Sequence, residues 1–441
     1  MYRTVGIVQR NRHANKIHVR NGAEGARTPD LCNANAALSQ LSYSPASAMA
    51  AGEQVSAPST TQTETAPQPC GAAVTAANLA GRPALSSRRA ADGSGNDRTA
   101  HCKFDLPASV RGLIMSVPPA MILPAPPDVL AAARRLRGVI QRTPCSYSAP
   151  LSTRSGAEAY LKWESQQSTG SFKLRGAFNA LLTMPIEDRR RGVVVASAGN
   201  HGLGIAYAAR TLGMRARVYV PATAPLVKRD GIAAMGAEVD ATQPDYDAAH
   251  DAALACAERD GMIHVSPCTG RALLAGQGTV GLEILEDCPT VRTLVVPVGG
   301  GGLAGGIAVL VRAVAPHVRI VGAQSELTNA MAASLVNGRR TTIPVVRTLA
   351  DGLAGQVDDE GVLIGRFALD EIVVVTEREI AESMRWLARM HGARVEGSGA
   401  VGVAALLSRG GWDGPVTAIV SGGNVDQSVW SEIVGEQAAV A

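Results

Sequence analysis

From about residue 124 onward, short unbroken apolar runs alternate with amphipathic stretches. Asp128 to Ile140 carries Val129, Ala132, Leu136, Val139 and Ile140 near helical spacing, which predicts a helix with one buried face. Thr143-Pro144 interrupts the pattern, and a short strand ending at Leu161-Lys162-Trp163 follows. Val193 to Ala196 is apolar throughout, as expected of a strand covered on both faces. Asn200 to Leu212 then places Ile205, Ala208, Ala209 and Leu212 on one helical face, with Gly213 as the stop. Arg215 to Val220 reads as the next strand, completing a βαβ unit. A second unit runs from Leu294–Val298 through a glycine loop and a helix to Val314, then past Pro316 to Val318–Ala323. The alternation continues to the buried run Thr417–Val420, with no repeat of fixed period. The pattern predicts an α/β fold of two open, twisted parallel-sheet layers with a site in the cleft between them.

Residues 1–120 lack this pattern. Residues 44–100 are mostly Ala, Ser, Thr, Gly, Pro and Gln, too poor in large apolar side chains to offset the entropy of ordering. The stretch Asn21 to Pro45 resembles a translated transfer-RNA gene, so an over-extended reading frame is expected, with Met115 or Met121 as the start. A cleaved transit peptide is the alternative, weakened by the segment's length and its acidic residues. Residues 1–120 are therefore expected to stand outside the fold.

Composition narrows the function class. Of the 441 residues 46% are hydrophobic and only 3% aromatic, against 47 glycines, which suits parallel sheets covered by helices. The net charge of +4 belongs to the N-terminal segment, since residues 121–441 carry 30 Lys and Arg against 31 Asp and Glu. That balance argues against a nucleic-acid partner. No apolar run reaches the roughly 18–20 residues of a membrane span, so no membrane partner is expected. The seven cysteines show no C-x-x-C spacing, which fits a reducing cytoplasm better than a disulfide framework or a zinc site.

Four segments carry candidate chemistry. In Thr169-Gly170-Ser171-Phe172-Lys173-Leu174-Arg175-Gly176-Ala177, a lysine stands beside an aromatic and two residues from a cation. A neighbouring cation and desolvation lower an amine's pKa, as a Schiff-base lysine needs, but the pair alone also suits an exposed turn. Ser197-Ala198-Gly199-Asn200-His201-Gly202 joins a strand to a helix, whose free N–H groups suit a carboxylate. An ordinary capped turn is the other reading. Gly299-Gly300-Gly301-Gly302-Leu303 lets backbone wrap a phosphate at a helix N-terminus. Gly300, Gly302 and Gly305 also match the dinucleotide fingerprint, but the position where that motif wants an acid is Gln324. Ser421-Gly422-Gly423-Asn424 puts a hydroxyl at the end of a buried strand.

In combination and order, these segments resemble the fold-type-II pyridoxal-phosphate enzymes, specifically the threonine/serine dehydratase and serine racemase family. The resemblance spans residues 125–430 and includes Ala275-Gly276-Gln277-Gly278-Thr279 and Val395-Glu396-Gly397-Ser398-Gly399-Ala400. It implies pyridoxal 5'-phosphate as cofactor, carried by Lys173, which would also remove the substrate α-proton. Phe172 would flank the cofactor ring and Asn200 would bond its phenolic oxygen. Gly299, Gly300, Gly301, Gly302 and Leu303 would hold its phosphate, and Ser421 would face its pyridine nitrogen. Ser197, Gly199 and His201 would receive the substrate carboxylate, with Glu396 near the ring. A neutral Ser421 leaves the ring a weaker electron sink than a carboxylate partner would, favouring reactions that expel a leaving group as the α-proton departs. The cofactor phosphate is the nearest acid for the leaving hydroxyl.

The implied domains are 121–172 with 268–441 as the large, cofactor-binding one and 173–267 as the small one. The implied activity is β-elimination from L-threonine or L-serine, giving a 2-oxo acid and ammonia, in a cytoplasmic homo-oligomer whose partner is a small hydroxy-amino acid. A racemase, a β-replacement enzyme and, from another class, a nicotinamide oxidoreductase are the alternatives. Three departures from the family pattern bear on this choice. Ala198 stands where racemases have a serine that serves as the second acid/base. Gln324 and Ala330 stand at the family's cation-binding positions, so no metal is expected. The segment Val265–Arg271, with Pro267 and Cys268, differs from the usual aromatic–acidic–proline run, which leaves the choice of side chain open. Seventeen residues follow Asn424, as in the short catabolic form.

Overall fold

In the computed structural model, the described residues are 16–17, 122–197, 199–224 and 226–435. Eleven strands among them make two sheets: β1 (Lys16–Ile17), β2 (Cys145–Tyr147), β3 (Ala159–Lys162), β4 (Val193–Ala196), β5 (Ala216–Pro221), β6 (Glu238–Gln243), β7 (Ile263–His264), β8 (Thr293–Pro297), β9 (Arg319–Ser325), β10 (Glu371–Val375) and β11 (Val416–Ile419). One sheet has the order β6-β5-β4-β7 and is parallel throughout. The other has the order β1-β10-β9-β8-β11-β3-β2. Its five inner strands are parallel, while both edge strands run antiparallel. The expected α/β fold is therefore present, with antiparallel edges that the apolar pattern did not announce.

The inner strands β4, β8, β10 and β11 are buried along their whole length, because helices cover both faces. Separate apolar clusters lie on the two faces of the seven-stranded sheet. One contains Leu294, Ile320 and Ile372, the other Val295, Val321 and Val373, so successive residues of each strand point to opposite sides. The expected first helix runs over Pro126–Leu136 and stops short of Ile140, because Gly138 has a φ of 76° and turns the chain. Lys16–Ile17 pairs with Ile372–Val373 although it falls in the segment expected to stand outside the fold. The transfer-RNA-like stretch and the candidate starts Met115 and Met121 lie outside the described residues. No helix among the described residues is long and apolar enough to cross a membrane.

The carboxyl ends of β3, β4, β8 and β11 lead into the four segments singled out above, the crevice position where open α/β sheets place ligands.

Candidate active site

Lys173 is the first residue of the helix Lys173–Thr183. Its Nζ donates to the Pro267 carbonyl at 2.8 Å and lies 5.3 Å from the centre of the Phe172 ring. The loop before it is tied to the end of β11: Phe172 N donates to the Ser421 carbonyl, and Gly423 N to the Gly170 carbonyl. Gly170 has a φ of 74°, and a Cβ there would fall 2.3 Å from Asn424 Oδ1. Ser171 Oγ and Thr169 Oγ1 are buried in this loop.

The glycine loop leads from β8 into the helix Gly302–Val314, with Gly301 as the cap at a φ of 92°. A side chain would not fit there. A Cβ on Gly300 would stand 2.8 Å from Cys268 Sγ, and one on Gly302 2.6 Å from the Cys268 carbonyl. The first amides of a helix have no partner within it, so this narrow groove offers N–H donors and the positive end of the helix dipole to an anion. Leu303 is buried and anchors the helix start in the core.

Two elements carrying the lysine and the loop are spaced by a third, the helix Arg271–Asp287. A Cβ on Gly276 would lie 2.4 Å from the Arg175 carbonyl, and one on Gly278 would lie 2.6 Å from the Gly306 carbonyl. Gly276 therefore fits the helix against the lysine's helix, and Gly278 fits it against the loop's helix. The glycine-rich run at 275–279 is visible in the sequence, but its spacing role depends on contacts with residues 101 positions before Gly276 and 28 after Gly278.

Asn200 opens the helix Asn200–Thr211 and is held from both ends of its amide. Its Nδ2 donates to Glu396 Oε1 at 2.7 Å, and its Oδ1 accepts from Asn424 Nδ2 at 2.7 Å. Asn424 Nδ2 also donates to the Thr169 carbonyl at 2.8 Å. These bonds fix which way the Asn200 amide faces and leave one of its N–H groups to donate elsewhere. Glu396 is buried, and burial pushes its carboxyl up to about 7, with the nearby Asp351 acting in the same direction. Gly422 makes room for it, since a Cβ there would lie 2.2 Å from Glu396 Oε1. Ser421 is buried beside this group, its Oγ 3.4 Å from the Ser398 carbonyl.

Ser197 and Gly199 form the turn before the Asn200 helix, with Gly199 N donating to Ser197 Oγ. Ala198 lies outside the described residues. The His201 ring is buried, and its Nε2 donates to the Val265 carbonyl at 3.1 Å, which leaves Nδ1 without a proton or partner. Burial, and secondarily Lys173, lowers it to about 3, so the ring is neutral. What His201 offers an anion is its main-chain N–H. Gln324 donates to the Val298 and Thr328 carbonyls and accepts from Ala332 N, so its amide is fully engaged with backbone, and Ala330 is buried nearby.

Three sequence-predicted segments thus meet through hydrogen bonds around Asn200, Ser421 and the lysine loop. The fourth, the glycine loop, joins them through Cys268, the neighbour of the carbonyl that receives Lys173. The family described as "Pyridoxal-phosphate dependent enzyme" matches residues 136–422. The chain is 43% identical over 314 residues to the L-threonine ammonia-lyase of Thermotoga maritima, covering 70% of this chain and 78% of that protein. It is 38% identical over 343 residues to the catabolic L-threonine dehydratase of Escherichia coli, covering 76% and 98%. The solved structure of maize serine racemase superposes with a TM-score of 0.68 at 30% identity, covering 70% of this chain and 96% of that one. A match over so much of the chain, with these motifs converging on one cleft, means that the chain belongs to the pyridoxal-phosphate-dependent enzyme family.

Proposed function

We propose that this protein removes water from L-threonine, and from L-serine, to give a 2-oxo acid and ammonia. The observation that carries the reading is the convergence of Lys173, Asn200, Ser421 and the glycine loop on one cleft, linked by the contacts above. When bound, pyridoxal phosphate supplies an electron sink that makes the α-proton of an amino acid removable.

The residues present fit that cofactor. A groove without side chains at Gly299–Gly302 suits its phosphate, and Leu303 contributes the next amide of the helix start. The unspent N–H of Asn200 suits its phenolic oxygen, and the Ser421 hydroxyl suits its ring nitrogen. Phe172 lies beside the lysine, where it would flank the ring. Ser197, Gly199 and the His201 amide, at the start of the Asn200 helix, would take the substrate carboxylate.

Lys173 Nζ is the covalent anchor and the base that accepts the α-proton. The β-hydroxyl leaves with a proton as water, and the enamine that remains takes up water to yield the 2-oxo acid and ammonia. Racemisation would need a proton donor on the opposite face, and the methyl group of Ala198 offers none. Four free cysteines among the described residues accord with a cytoplasmic enzyme; a homo-oligomer belongs to the same reading.

Borohydride reduction of the loaded enzyme followed by peptide mapping should place the cofactor on Lys173. Lys173→Ala should lose both the visible absorbance and keto-acid release from threonine. Lys162 and Lys228 are each committed to an ion pair, with Glu283 and Asp351. Label on either of them, or D-isomer as the main product, would overturn the reading.

A further inference from the structure

Two residues beyond Lys173, Arg175 is fully buried with no apolar residue of comparable size more enclosed. Its Nε and Nη2 fork onto Glu164 at 2.7 and 2.8 Å, and its Nη1 and Nη2 onto Glu283 at 2.7 and 2.8 Å. Nη1 also donates to Thr279 Oγ1 at 3.1 Å. Lys162, equally buried, donates to Glu283 Oε2 at 2.5 Å and to the Thr143 carbonyl at 2.6 Å. Thr143 Oγ1 closes the ring by donating to Glu164 Oε1. Two cations and two carboxylates thus share one buried site with no net charge.

Such a group is poor evidence of stabilisation, because well-packed apolar residues of the same volume often do as well or better. It does fix geometry. Glu164 follows β3 in the seven-stranded sheet, and Glu283 stands on the helix that spaces the lysine from the glycine loop. The lysine's own helix has no side-chain cap, since Phe172 occupies the cap position. Residues two apart on a helix point in nearly opposite directions. A fork gripping Arg175 from behind therefore sets the direction of Lys173 in front.

We propose that Arg175 is a positioning residue: its two-sided fork on Glu164 and Glu283 orients the first helical turn and so aims the Lys173 amine. This rests on the reading that Lys173 carries the cofactor. Displacement of a reacting group by about 1 Å costs roughly 100-fold in rate.

In the loaded enzyme, Arg175→Lys keeps a positive charge but cannot fork onto two carboxylates. It should lower kcat at least tenfold, leave KM within threefold, and shift the pH midpoint of the visible absorbance. Glu164→Gln, a milder change that removes one half of the charged fork, should move the same midpoint and serves if Arg175→Lys does not yield soluble protein. A variant whose melting temperature falls while kcat and the spectral midpoint stay at wild-type values would overturn the proposal, because that is what a purely structural role predicts. Failure of the wild-type enzyme to hold cofactor on Lys173 would instead defeat the underlying reading and is recognised separately by the peptide map.

Discussion

Glu396 illustrates how much of the site depends on single side chains brought together over long distances. Its partner Asn200 lies 196 positions away, and no pattern along the chain links an asparagine after β4 with a glutamate before the helix Gly397–Ser408. Motif order singled out Asn200, Lys173 and Ser421 as candidates, because each follows a buried strand or opens a helix. It could not reveal that Arg175 is fully buried, since an arginine near a glycine reads as surface until Glu164 and Glu283 are seen around it. Nor did it show that the His201 ring is spent on Val265. The titration of Glu396 has a definite sign. Burial raises the folded-state value to about 7 from the ordinary 4.5, so between those values the folded protein holds a proton that the unfolded chain has lost. Stability should therefore fall as pH rises through that window, by on the order of 3 kcal/mol if the shift is fully expressed. Glu396→Gln cannot ionise and should lack this part of the decline. Urea unfolding at pH 5 and pH 8 for both proteins checks it; equal losses would mean that Glu396 does not titrate in this range.

Elements were legible where hydrophobic period and length agreed, and less so where packing overrides propensity. Val193–Ala196 and the Asn200 helix follow directly from apolar runs and a glycine stop. The edge strand Cys145–Tyr147 did not, because it is three residues long, largely exposed and preceded by a proline. The helix Arg271–Asp287 is buried along nearly its entire length, so its composition lacks the polar face that marks a helix in sequence. Its glycines look like helix breakers until the neighbouring backbones are placed against them. That arrangement predicts an inverted mutational sign. In a helix interior, glycine to alanine ordinarily stabilises by about 1 kcal/mol. At Gly276 the new methyl would meet the Arg175 carbonyl at 2.4 Å, a contact with backbone that cannot rotate away. Gly276→Ala should lose about 1–3 kcal/mol and bind cofactor more weakly, because the lysine's helix must retreat. Gly231→Ala, on the helix Leu226–Ala234 with its nearest neighbour at 3.6 Å, is the control and should be neutral or stabilising. A melting temperature for Gly276→Ala at or above the wild-type value would remove the spacing argument.

At the scale of the whole molecule, alternation of strand and helix was enough to give two α/β sheets with parallel inner strands, but neither the antiparallel edges of the larger one nor the contacts that hold the two together. One such contact is the ion pair of Lys228 Nζ with Asp351 Oδ2 at 2.6 Å. Lys228 stands on the helix after β5 of the four-stranded sheet, whereas Asp351 starts a short turn packed against the helix that follows Glu396. The pair therefore ties a helix of the four-stranded sheet to the turn beside Ser398. Asp351 is about half exposed, at 52%, so solvent screens the interaction. A pair of this kind is worth no more than about 1 kcal/mol, or roughly fivefold in an equilibrium constant. It holds these two elements together and touches none of the groups assigned to proton transfer. Asp351→Asn should accordingly raise KM for threonine about two- to fivefold at low ionic strength while leaving kcat within twofold. Salt at about 0.5 M should bring wild type and variant together, because screening removes the attraction that the substitution removes. Steady-state kinetics at two salt concentrations decide the matter: a KM difference that persists in salt would assign Asp351 a role in the site itself, and a fall in kcat alone would separate it from the joining of these two elements.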